Sequence, residues 1–64
     1  MTPDELRAEL DRLGLSQGGL SRLVAVGDRT VRRWCTGDQE VPRSVDIMLD
    51  LLGPDDVAEY MPED

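Results

Sequence analysis

Residues 15–37 read L-S-Q-G-G-L-S-R-L-V-A-V-G-D-R-T-V-R-R-W-C-T-G. Ser16 is a natural cap for the free backbone N–H groups of a helix start, and Leu20, Leu23 and Val24 follow at the spacing of one helical face. Gly18 and Gly19 weaken that helix, each by about 1 kcal/mol relative to alanine in a helix interior and by less near the first turn. Ala25-Val26-Gly27 leaves room only for a tight connection. From Asp28 the spacing of Val31 and Trp34 resumes a helical face, which Gly37 stops. Two short helices crossing at a turn are therefore expected, with small Ser21 at the crossing, Val26 plugging the turn, and Val31 and Trp34 facing Leu20, Leu23 and Val24. Packing of that inner face turns the other face outward. At about 100° per residue, Arg29 and Arg33 share one outer strip, with Arg32 beside them and Thr30 at its margin.

The flanking segments extend the same pattern. Thr2-Pro3-Asp4-Glu5 has the form of a capped helix start, with proline at the first helical position and Glu5 three residues after the cap. Leu6, Leu10 and Leu13 then form one stripe, and Gly14 ends the helix. Gln39 to Pro42 reads as a loop, and Val45, Met48, Leu49 and Leu52 mark a fourth helix ending at Gly53-Pro54. Ile47 and Leu51 widen its apolar arc to about 200° at 100° per residue. Either the bundle wraps both flanks of this helix, or Ile47 and Leu51 belong to a partner surface. Residues 55–64 are mostly acidic, with a short helical turn expected around Val57 and Tyr60. The expected class is all-α, a compact domain of four or five helices.

A chain of 64 residues with net charge −7 and no histidine excludes much. A domain this small buries only about 60% of the surface its unfolded chain exposes, so a deep catalytic cavity beside a core is not expected. Cys35 is the only cysteine, which leaves no internal disulfide and no ordinary Cys/His zinc site. Asp46 and Asp50 share a helical face but lack further ligands, so solvation suits them better than a cation. There is no glycine-rich phosphate loop and no nucleophile with a recognisable base. No enzyme activity, cofactor, metal or small-molecule substrate is expected. The free thiol, the acidic first residues and the lack of a long apolar run point to the cytoplasm and away from a membrane.

The charge is unevenly spread. Residues 1–14 carry four carboxylates against Arg7 and Arg12, a net of −2; residues 15–37 carry four arginines against Asp28, a net of +3; residues 38–64 carry nine carboxylates against Arg43, a net of −8. The acidity belongs mainly to the last third, and residues 15–37 are the one net-positive segment, with three of their four arginines on the second predicted crossing helix.

Leu15, Ser16, Gln17, Leu20, Ser21, Leu23, Val24, Val26, Thr30, Val31, Trp34 and Gly37 resemble, in register and without a gap, the helix-turn-helix of the Cro and phage-repressor, or XRE-type, transcription regulators. Helix one and the apolar helix after a Val-Pro loop also match, so the likeness spans roughly residues 2–53. The resemblance implies a lambda-repressor-like DNA-binding domain over residues 1–54, its helix-turn-helix at 16–36, followed by an acidic C-terminal tail at 55–64. It further implies a prokaryotic or phage-encoded repressor, associated with the nucleoid when bound. Ala25 stands where the family has glycine and is expected to shift the turn; Gly27 stands where it has serine or threonine and removes a side-chain cap, at a cost of a few tenths of a kcal/mol.

With helix 28–36 in a major groove, the expected base contacts are Arg29, Arg33, Arg32 and Asp28, and the expected phosphate contacts are Gln17, Ser16, Thr30, Arg22 and Arg43. Arginine suits guanine O6 and N7, while Asp28 either orients an arginine, Arg32 standing four residues on, or accepts from cytosine N4. Trp34 is expected in the core rather than as a stacking platform. Cys35 is a bystander, with Arg32 the one cation nearby. The partner would be an inverted-repeat operator in double-stranded DNA, bound by a homodimer through Ile47, Leu51, Val57, Tyr60 and Met61. The alternative is a helix-turn-helix-fold protein-interaction module, an antirepressor or acidic adaptor, that has lost DNA binding and uses its C-terminal carboxylates on a basic partner.

Overall fold

Thr2 opens the first helix as its sequence implies: its hydroxyl accepts from the Glu5 N–H at 3.1 Å, and the Glu5 carboxylate accepts from the Thr2 N–H at 2.8 Å. The computed structural model describes residues 1–60, in which the elements are α1 (Pro3–Leu13), α2 (Gln17–Val24), α3 (Asp28–Thr36), α4 (Arg43–Leu51) and α5 (Pro54–Tyr60). No strand occurs among the described residues, and no helix there is long and apolar enough to cross a membrane. Gly14 ends α1 in the left-handed region at φ 69°. Ser16 caps α2 by accepting from the Gly19 N–H at 2.9 Å. These three boundaries follow local capping signals.

The core is built from one stripe of each helix. Leu6, Leu10 and Leu13 of α1 meet Leu20 of α2, Val31, Trp34 and Cys35 of α3, Leu49 of α4 and Val57 of α5, with Leu15 and Val41 closing it from the loops. Helix α3 packs against both α1 and α2, and α1 also packs against α5. Leu23, Val24 and Val26 pack against the core but are only partly buried. Two arginines of α1 tie distant elements together. Arg7 Nη1 donates to the Cys35 carbonyl at 2.5 Å, and Arg12 Nη2 to the Leu49 carbonyl at 3.0 Å. Both carbonyls lie in the last turns of their helices, where free acceptors and the negative end of the helix dipole favour a cation.

The α2–α3 turn closes through Ala25, which adopts φ 59° and ψ 45°. That conformation costs an L-residue about 1–2 kcal/mol and costs glycine almost nothing. Gly27 is extended, caps α3 without a side-chain hydrogen bond, and has open space where a Cβ would stand. Ala25→Gly is expected to raise stability by about 0.5–1 kcal/mol, once about 0.4–1 kcal/mol of added unfolded-state freedom is subtracted. Thermal unfolding followed by circular dichroism should show a midpoint several degrees higher; a lower midpoint would contradict the strain at Ala25. At the other end of α3, Gly37 (φ 89°) lies so near α1 that an added Cβ would stand 3.2 Å from Pro3 Cγ.

The C-terminal third differs from expectation. Helix α4 ends at Leu51, short of the expected Gly53-Pro54, and the helical turn expected around Val57 and Tyr60 is longer, a seven-residue fifth helix. Val57, expected on a dimer surface, is 3% exposed in the core. The correction has a packing cause: α5 lies on α1, and Val57 is the apolar residue it presents inward. Ile47 and Leu51 remain exposed, at 49% and 78%. The Tyr60 side chain and Met61, the other expected dimer contacts, lie outside the described residues.

Candidate nucleic-acid interface

Helix α3 has two unlike faces. Val31, Trp34 and Cys35 are buried, Thr30 is half-buried, and Asp28, Arg29, Arg32, Arg33 and Thr36 are exposed. At 100° per residue the exposed set fills an arc of about 140°, opposite the buried set. Rotation of the helix would expose Trp34, which is 2% exposed, so the core fixes which residues point out. Thr36, absent from the expected contacts, shares the outer arc, and its hydroxyl donates to the Arg33 carbonyl at 3.2 Å. Its helical phase relative to Arg29 and Arg32 was the signal available for it.

Among the described residues, Arg29, Arg32 and Arg33 make no salt bridge. Among the described residues Asp28 forms no salt bridge with Arg32. Its Oδ1 accepts instead from the Ser21 hydroxyl, at 2.5 Å. Ser21 is 5% exposed where α2 crosses α3, and a buried hydroxyl beside a carboxylate forms a charge-assisted bond that an exposed i,i+4 pair does not match. The outer strip therefore keeps its cations unneutralised by the one carboxylate on the same helix.

The expected phosphate contacts form separate groups. Ser16 and Gln17 stand at the start of α2, where the Gly19 N–H is taken by Ser16 and the N–H groups of Gln17 and Gly18 belong to the unpaired first turn. Arg22 follows one turn later, its Nη1 3.8 Å from where a Cβ on Gly18 would stand. Thr30 sits at the edge of the α3 strip. Arg43 has different surroundings: it begins α4 and borders an open hollow with Met1, Glu40 and Asp46, whose two carboxylates disfavour an approaching anion.

Asp46 is paired with the Met1 ammonium at 3.7 Å. Among the described residues no cluster of three or more histidine, cysteine or acidic side chains converges as a metal site. Burial raises the Cys35 thiol above its ordinary range, and the neighbouring cation that partly opposes this is Arg7, not Arg32 as the sequence suggested. The Trp34 indole N–H finds no partner among the described residues.

No protein-family model, curated protein or solved structure matches the chain. Fold and site together define a small all-helical protein that presents one cationic helix face on a packed scaffold.

Proposed function

We propose that this chain is a sequence-specific regulator that binds double-stranded DNA through a helix-turn-helix formed by α2 and α3, with the strip of α3 in the major groove, and that it acts as a small repressor. The observation that carries this is the set of three arginines left without a salt bridge among the described residues, on the outward face of a helix whose inward face is locked by Val31 and Trp34. Guanidinium groups match guanine O6 and N7 bidentately, and an α-helix fits the major groove with its N-terminal half nearest the base edges. The net charge of −7 does not oppose this, because exposed charges beyond about 8 Å are largely screened at physiological salt. Ser16, Gln17, Arg22 and Thr30 supply phosphate contacts around the strip.

A single domain with a handful of phosphate contacts binds weakly, and a symmetric pair on an inverted repeat offsets this. Exposed Ile47 and Leu51 are the surface assigned to that pairing. The alternative, an interaction module for a basic protein partner, is favoured by the groove between α1 and α4 lined by Glu5, Glu9, Asp46 and Asp50.

Selection from a random duplex pool tests the DNA function. A recurrent motif is expected, with affinity for it falling as salt rises by a slope of about −0.9 per neutralised phosphate. Failure to enrich any motif would favour the protein-interaction alternative. Sedimentation of the complex should give two chains per duplex, and one chain per duplex would remove the role given to Ile47 and Leu51.

A further inference from the structure

Asp28 is the first residue of α3, exposed, and yet tied to the preceding helix. The Ser21 hydroxyl lies 2.5 Å from Asp28 Oδ1 and 2.8 Å from the Gly18 carbonyl, and its single proton serves one acceptor at a time. The charged carboxylate is the stronger acceptor. Because Ser21 is buried, the hydroxyl is a fixed point, and the bond confines the rotamer of an otherwise free surface side chain. One oxygen is anchored against α2. The other is the acceptor left to a ligand at the leading end of the strip.

We infer that the Ser21–Asp28 pair sets base preference: Asp28 accepts from the N4 amino group of a cytosine, and Ser21 is the positioning residue that holds it there. This rests on the DNA-binding function proposed above. The choice of base follows from groove chemistry. A carboxylate accepts and cannot donate, so guanine O6 and N7 and thymine O4 repel it. Adenine offers the N6 donor beside the N7 acceptor, whereas cytosine offers its N4 donor alone. A G·C pair displays the guanine acceptors and the cytosine donor side by side. Asp28 and an adjacent arginine of the strip are therefore suited to opposite halves of the same kind of pair, and the short pairing to Ser21 keeps Asp28 from neutralising that arginine.

The test is site selection with the full chain and with Asp28→Asn and Ser21→Ala, followed by titration of duplexes that differ at one position. The parent should prefer cytosine there by on the order of tenfold. Asp28→Asn should move that one position toward adenine, since an amide can donate to N7 and accept from N6. Ser21→Ala should relax the preference at the same position and leave the rest of the motif intact. An unchanged motif with Asp28→Asn, with circular dichroism showing the parent's fold, overturns the cytosine assignment while DNA binding stands. A uniform loss of affinity with Ser21→Ala, with the position's preference kept, overturns the positioning role. No motif with the parent removes the DNA function and this inference together.

Discussion

Replacing Arg29 and Arg33 together by alanine is expected to weaken binding to the selected duplex by about two to three orders of magnitude while leaving thermal unfolding nearly unchanged. Each bidentate contact to guanine contributes about 1–3 kcal/mol of discrimination, and 1.4 kcal/mol is a factor of ten. Both side chains are exposed and without a salt bridge among the described residues, so their removal empties no cavity and orphans no buried group. Fluorescence anisotropy at fixed salt would measure the loss, and circular dichroism would report the fold. The lost affinity should be concentrated on the preferred sequence, with binding to unrelated duplexes falling less. Equal losses on all sequences would mean that these arginines touch phosphate and not bases.

Trp34→Ala is expected to abolish cooperative folding. Truncating a buried tryptophan costs about 3–5 kcal/mol, and a domain of this length has about 3–10 kcal/mol in total at 0.05–0.15 kcal/mol per residue. Trp34 is the largest buried side chain of the core and sits on the inward face of α3, so its loss weakens the packing that fixes the outward strip. Trp34→Phe should cost less, because an aromatic ring still fills much of the site and the unpartnered indole N–H is removed. Urea titration followed by far-ultraviolet circular dichroism separates the three proteins. A sigmoidal transition for Trp34→Ala near the parent midpoint would show that α3 is held mainly by other contacts.

The order of elements and the outward strip were legible from local signals. Thr2 and Ser16 cap their helices, Gly14 and Gly37 end theirs, and the spacing of Val31 and Trp34 separates buried from exposed residues on α3. These are interactions between residues at most a few positions apart, which local chemistry alone determines. The partner of Asp28 was not legible this way. Within one helix, Arg32 is its natural neighbour; across the turn, Ser21 becomes nearer and buried, and burial makes that bond the stronger one.

The same division runs through the whole chain. Sequence by itself determined where α1, α2 and α3 begin and end, that the class is all-α, and which side of α3 carries its arginines, because caps and 3.6-residue periodicity act over a single turn. Only the tertiary structure decided that Val57 is core, that Arg7 and Arg12 reach carbonyls 28 and 37 residues away, and that Ala25 takes the left-handed turn. Those choices depend on which surfaces remain unpaired after all five helices have packed. Charge and apolarity define what a residue can do, and the neighbours that folding brings to it define what it does.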